Sequence, residues 1–351
     1  MKSAVSYALK ARLNFTTVNL HPKFKRILLD DSTVFELPEE FCKKYRGSGG
    51  GASNAAIKVQ YCFDLLSGTL LNLINRQGVE PDQTLALPDI KKDDLLIEDL
   101  GFFRMRRFLE IIRLSAYFLS RLKFGTAVFL KKDGEYAVFD LLKEERKMKP
   151  GELRQYQVVI GKKDKVEVRM ILEKVDPKIS EQKRRKLKSD KQNKRKILSL
   201  NRLQFCNLNA YITNASEDDL PMEDVRKYYS LRWQIEIMFK AWKSVYRIDQ
   251  VKAMKIERFE CMHYGLLMLI ILTTHIWVVF KKTFRKLYEI ELSELKFFKC
   301  VKEILPLISD AVKKKKLIKT LDLLWEMAKN TCQKNRKNSR MSPYQILKVA
   351  S

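Results

Sequence analysis

The chain has 351 residues, enough to bury a sizeable core in two domains or one enlarged one, and its 46% hydrophobic content argues against disorder. Sixty-nine Lys and Arg against 42 Asp and Glu leave a formal charge of +27, a self-repulsion that a polyanion relieves. Nucleic acid is therefore the leading partner, ahead of a membrane surface or an acidic protein. Six scattered cysteines without a C-x-x-C pair, and only three histidines, argue against a zinc module and read as reduced thiols of a cytosolic protein. The opening MKSAVSYALKARLNF has no apolar core or cleavage site of the secretory kind.

In chain order, Arg26 to Leu37 (RILLDDSTVFEL) is rich in strand formers and stops at Pro38. A glycine cluster follows at Gly47, Gly49, Gly50 and Gly51, with no Gly-Lys-Ser/Thr to make it a phosphate loop. Strands are expected over Ala56 to Asp64 and Thr69 to Ile74, joined through Ser67-Gly68, as an antiparallel meander. A short apolar run from Leu95 ends at Asp99, Phe103 to Leu114 has helical periodicity, and Ala116 to Leu122 returns as a strand. Asp93 and Asp94 read as a solvated loop.

From about Gly125 the texture changes. Alternating segments at Tyr136 to Phe139, Gln155 to Ile160 and Val166 to Leu172 predict β structure, which leads into the basic run Lys178 to Lys196. That run and Lys313 to Lys316 suit either DNA backbone or solvent. Phe205 to Thr213 is expected as the return strand. A long helix is then expected from near Met222 to near Tyr246, with Pro221 and the preceding acids as its start signals. Cys261 to Phe280 is apolar enough for a membrane span. Its His263, Thr273, Thr274 and His275, and its attachment to a charged helix, favour a buried core helix.

The predicted helix DVRKYYSLRWQIEIMFKAWKSVYRIDQ is the most informative segment. Tyr229, Arg232, Glu236 and Lys243 fall within an arc of roughly 60° at 100° per residue, with Lys240 on the same stripe. Leu231, Ile235, Met238 and Trp242 take the opposite, apolar side. One carboxylate among cations suits a surface along which a phosphate chain lies. Arg232, Glu236 and Lys240 at four-residue spacing suit an exposed ion-pair ladder equally. The ladder explains neither Tyr229 nor the aromatic density of YYSLRW. Trp233 is either a buried aromatic or a platform for an extruded base.

The spacing Tyr229-x2-Arg232-x3-Glu236-x6-Lys243, in the context YSLRWQIEIMFKAWKS, resembles the Y-R-E-K signature of insertion-sequence DDE transposases of family four. LLDDSTVFELP resembles the first-strand motif of that family, which selects Asp31 over its neighbour Asp30. YRGSGGGASNAAIKVQYCFDLLSG resembles the glycine loop and hairpin after it. IEDLGFFRMRRFLEIIRLSAYFLSRLK resembles the second motif, which selects Asp99 over Glu98. The likeness covers most of residues 25 to 280.

The resemblance implies an RNase H-like α/β fold with a mixed five-stranded sheet and flanking helices. Residues 1–124 would form its first part, 125–204 a β-rich insertion before the catalytic glutamate, 205–285 the remainder, and 286–351 a helical basic tail. Asp31, Asp99 and Glu236 would be the catalytic and metal-holding acids. Two Mg2+ ions about 4 Å apart, with Mn2+ as substitute, suit such an oxygen donor set in phosphoryl transfer. Tyr229, Arg232, Lys243, Lys240 and Trp233 would hold DNA. The implied function is strand cleavage and strand transfer at transposon ends by a cytoplasmic, nucleoid-associated homodimer. Its partners would be terminal inverted repeats and target DNA, with no membrane and no small-molecule substrate. Thirty residues precede Asp31, fewer than the family usually carries, so a truncated or domesticated non-catalytic DNA binder is the alternative expectation.

Overall fold

The structure, a computed structural model, describes residues 21–132, 134–193, 198–314, 317–334 and 341–347. The N-terminal segment and the ends of the two basic runs (Lys194 to Lys196, Lys315 and Lys316) lie outside the described residues. The chain forms two compact units. The first takes Arg26–Asp89 and Leu231–Ser351, and the second Lys23–Lys25 and Ile90–Ser230.

In the first unit, β1 (Arg26–Glu36), β2 (Ala56–Asp64) and β3 (Leu70–Gln77) form the expected antiparallel meander in the order β3-β2-β1. All nine residues of β2, the middle strand, are buried; Lys58, Gln60 and Asp64 among its apolar and aromatic side chains are bonded to Asp82, Asp30 and Ser67. The register sets Asp30 opposite Cys62 and Asp31 opposite Tyr61. The β2–β3 turn is tied by Asp64, whose carboxylate accepts from the backbone of Ile27, Leu66 and Ser67 and from the Ser67 hydroxyl. Burial pushes the Asp64 carboxyl up, and those hydrogen bonds oppose the shift.

In the second unit, β4 (Asp94–Glu98) runs parallel to β5 (Tyr117–Arg121) across helix α1 (Met105–Arg113). Phe108 of α1 stacks on Phe118 of β5 at 4.4 Å, which sets the helix on the sheet. The remaining strands are β6 (Val128–Lys132), β7 (Glu135–Val138), β8 (Leu153–Ile160), β9 (Val166–Lys174) and β10 (Leu208–Thr213). Strand order in this unit is β4-β5-β10-β9-β8-β6-β7, so the β-rich segment extends the sheet that carries β5. Two short helices, α2 (Leu141–Arg146) and α4 (Leu200–Gln204), flank the basic helix α3 (Pro177–Asn193). Asp94 corrects the expectation of a solvated loop: it is 1% exposed and accepts from the Lys91 backbone at 2.6 Å.

The expected single helix from Met222 to Tyr246 is divided. Helix α5 (Met222–Ser230) ends in the second unit, and α6 (Trp233–Ala241) begins in the first after two turn residues. The Ser230 hydroxyl donates to the Lys227 carbonyl at 2.6 Å, a side-chain bond of the kind that loosens a helix end. Gln234 and Ile235 then close three-residue turns onto Leu231 and Arg232. A π turn over Trp242–Tyr246 follows α6 and stops at Arg247, which has left-handed backbone geometry. The ideal 100° spacing therefore does not hold from Tyr229 to Lys243.

Helix α7 (Ile256–Tyr288) contains the long apolar run. It is long and apolar enough to cross a membrane, but His263, Leu267, Ile270, Ile271, Thr273, Thr274 and Trp277 are buried within the first unit. His263 meets the Asn75 side chain at 3.2 Å, and Thr273 accepts from the Tyr246 hydroxyl at 2.9 Å. These contacts are those of a core helix, with His263 and Thr273 hydrogen-bonded inside the unit. Helices α8 (Glu294–Lys313), α9 (Leu317–Thr331) and α10 (Pro343–Leu347) complete the unit, with Trp325 of α9 packed 4.5 Å from Phe284 of α7.

Candidate active site

Strand alternation separates the two aspartates of β1. Asp30 is fully buried and accepts from the Gln60 amide at 3.1 Å. Asp31 is half-buried, and its second carboxylate oxygen lies 3.3 Å from Nη1 of Arg232. The same guanidinium bonds Glu236 through Nη2. Arg232 caps the start of α6 and Glu236 lies in its first turn, so the helix puts this pair on one side while Leu231, Ile235, Met238 and Trp242 enter the core. Trp242 anchors that side, its ring 4.8 Å from Tyr61 of β2 and 5.2 Å from Phe239. The expected apolar face of the helix is thus present.

Asp31 and Glu236 keep 17% and 32% of their side chains exposed. Two carboxylates that are reachable from solvent and share one cation form a hard-oxygen donor set, which fits an ion of the Mg2+ type better than a soft metal. Among the described residues no three His, Cys, Asp or Glu side chains are gathered as a metal-holding group. Lys240 is exposed. Lys243 sits in the π turn with its ammonium 5.4 Å from the centre of the Phe35 ring. Trp233 is 55% exposed, which overturns its reading as a buried aromatic.

In the second unit Asp99 directly follows β4 and leads a single turn of tight helix, Leu100–Phe102. Tyr229 of α5 donates its hydroxyl to Oδ1 of Asp99 at 3.3 Å. Glu98 serves a different purpose. It is 3% exposed and gripped by the buried Arg107, whose Nε lies 3.0 Å from both carboxylate oxygens. That ion pair was not foreseen, although its nine-residue separation spans the tight turn that returns α1 to the end of β4. Glu98 is thus a structural partner of α1, and Asp99 is the acid left at the strand end beside Tyr229.

With this geometry the chain matches, over residues 22–272, the family model described as a transposase DDE domain. It is 34% identical to the transposase for insertion sequence element IS1151 of Clostridium perfringens, over 94% of this chain and 74% of that protein. It is 31% identical to the transposase for IS231B of Bacillus thuringiensis subsp. berliner, over 93% of this chain and 72% of that protein. A cryo-EM structure of the piggyBac transposase synaptic complex with hairpin DNA aligns at a TM-score of 0.48 and 11% identity. That alignment covers 91% of this chain and 60% of the other, and nothing about this chain follows from it. The chain belongs to the DDE transposase family.

Proposed function

We propose that the chain is the catalytic core of a DNA transposase, which cuts strands at transposon ends and joins the freed 3′ ends to target DNA. Asp31, Asp99 and Glu236 are its catalytic and metal-holding acids. The observation that carries this reading is the sharing of one guanidinium, that of Arg232, by Asp31 and Glu236 in a DDE transposase family member. Asp99 joins them through its motif, its place at the end of β4 and its hydrogen bond from Tyr229. Divalent ions, two Mg2+ with Mn2+ as substitute, would when bound supply activation of the attacking oxygen and charge stabilisation at the leaving one.

The other residues follow from their surroundings. Tyr229 orients the Asp99 carboxylate through its hydroxyl. Arg232 has a planar fork of donors that suits carboxylates here and a phosphate in the DNA complex equally well. Lys240 and Lys243 add point charges, and the exposed ring of Trp233 offers a face to an unstacked base. We assign these positions to the Y-R-E-K signature of family four. We read β1–β3 with β4 and β5 as the five strands of an RNase H-like core, 125–204 as its β-rich insertion and 286–351 as its helical tail. The partners are terminal inverted repeats and target DNA, held by a homodimer in the cytoplasm at the nucleoid.

The test is a nicking assay on a labelled transposon-end duplex with Mg2+ or Mn2+. Wild-type protein should nick at the transposon boundary, while Asp31→Asn, Asp99→Asn and Glu236→Gln should each lose activity by at least about a thousandfold. Metal-dependent nicking that survives in Glu236→Gln would sink the assignment. DNA binding by wild type without nicking leaves the non-catalytic binder in its place.

A further inference from the structure

On one face of the second unit's sheet, alternation along β10 puts Asn209 and Tyr211 side by side. The register sets Tyr211 opposite Arg121 of β5, and Asn209 opposite Glu173 of β9. Two helices bring further cations to this face. Lys183 of α3 donates to Oδ1 of Asn209 at 2.7 Å and to the Leu208 carbonyl at 3.3 Å, both neutral acceptors. Arg226 of α5 pairs with Glu173, which also accepts from Nδ2 of Asn209 at 2.7 Å. The guanidinium of Arg121 is half-buried and has no hydrogen bond or ion pair among the described residues.

Three cations therefore stand around a single carboxylate, Glu173, and that carboxylate is already taken by Arg226 and Asn209. The imbalance is felt at Lys183, whose ammonium is pushed down to about 8, by burial first and by the Arg121 charge second. Three like charges that share one carboxylate keep a positive excess, which an incoming anion relieves. Its location gives the anion's identity. The Tyr211 ring lies 5.3 Å from the ring of Tyr229, and Tyr229 reaches Asp99.

We propose that Arg121, Lys183 and Arg226 form a phosphate subsite that takes a backbone phosphate of the DNA strand passing Asp99. The assignment rests on the transposase reading and deepens it, because it supplies a grip on the strand that is separate from the acids. Arg121 is the principal contact, being the cation whose guanidinium has no hydrogen bond or ion pair among the described residues. Lys183 is the second, held in place by Asn209. Arg226 balances Glu173 and adds charge at the exposed rim, where 55% of its side chain is open to solvent.

The test uses the full chain without metal, so that binding is read apart from cleavage. Fluorescence anisotropy with a transposon-end duplex and with a scrambled duplex is measured across a salt series. Arg121→Gln should weaken both affinities about tenfold and lower the slope of log K against log salt by about one, and Arg121→Lys should restore most of the loss. Lys183→Met combined with Arg121→Gln should lower the slope by about two. A mere packing defect would lower the melting temperature without changing the salt slope, so thermal unfolding is recorded for each variant. Unchanged slope and affinity in well-folded Arg121→Gln and double variants overturn the subsite, even where wild type nicks DNA normally. Wild-type protein that binds both duplexes through Arg121 but never nicks leaves the subsite standing and removes the cleavage reading. Inorganic phosphate that raises the melting temperature of wild type alone, with DNA affinity untouched by the variants, assigns the site to a free anion and overturns the proposal.

Discussion

Replacing Arg107 by Leu should cost the protein about 3–5 kcal/mol, the usual consequence of leaving a buried carboxylate without its cation. Glu98 and Arg107 keep only 4% and 5% of their side chains exposed, and three hydrogen bonds join them. The guanidinium also lies 5.1 Å above the Phe102 ring, so its loss removes packing as well as charge. Glu98→Leu should be costly for the converse reason. The double variant, which removes both charges, should recover most of the loss and approach wild type within about 2 kcal/mol. Urea unfolding followed by circular dichroism measures all four proteins, with equal m-values required before the midpoints are compared. Single variants within about 1 kcal/mol of wild type, or a double variant whose cost is the sum of the singles, would refute the pair as a buried structural link. Asp99→Asn should behave oppositely, with stability nearly unchanged and nicking lost. If Glu98→Gln abolishes nicking at normal stability while Asp99→Asn unfolds the chain, the two acids have been assigned in reverse.

Burial pushes His263 down from 6.5 to about 4, so on acidification the unfolded chain takes up its proton first. The group's contribution to stability, about 3 kcal/mol, should be complete above pH 6.5 and lost as pH falls to about 4, and His263→Gln should flatten the unfolding free energy over that window. Gly68 has φ +73° and a Cβ there would lie 2.3 Å from a Val278 methyl, so Gly68→Ala should cost about 2 kcal/mol or more. Adding Val278→Ala should relieve the steric part, and a Gly68→Ala variant that melts like wild type would refute it. Trp233→Ala should leave stability within about 0.5 kcal/mol, because the ring is 55% exposed, yet weaken binding to a transposon-end substrate about tenfold. Equal affinity of the two proteins would remove Trp233 from the DNA interface.

Where strand identity depends on local chemistry, the sequence is readable. Ala56 to Asp64 is a run of strand formers closed by Ser67-Gly68, and β2 occupies those same residues. Helix α1 starts two residues later than its periodicity implies, at Met105, because Phe102 belongs to the tight turn after Asp99 and Phe103 follows it. Pairing between distant strands is not local chemistry. That β10 lies against β5, about ninety residues away, and carries the β-rich segment onto the same sheet has no sequence signal beyond apolar runs of similar length. The break after Ser230 was hidden for a related reason: every residue from Met222 to Tyr246 is tolerable in a helix. The interruption comes from Ser230 bonding to Lys227 and from tertiary packing that propensity does not register.

The site was legible in unequal parts. Arg121, Lys183 and Arg226 are 62 and 43 residues apart, each one more base in a chain with 69 of them, and they lie on one strand and two helices that only tertiary packing brings to a common face. Glu236 presented the opposite difficulty, an abundance of explanations. Its four-residue spacing from Arg232 predicts an ordinary helix-surface ion pair, and that pair is present. A surface ladder, however, is complete within its own helix and needs no third member. Here the same guanidinium also meets Asp31, which lies 201 residues earlier, on a different element and half-buried. A cation shared by two acids from different elements of one unit loses the side-chain entropy of three groups, for an interaction that exposed pairs seldom make worthwhile. Under the function proposed above, such convergence answers a demand on the two carboxylates themselves, which a phosphoryl-transfer site imposes and a stabilising ladder does not.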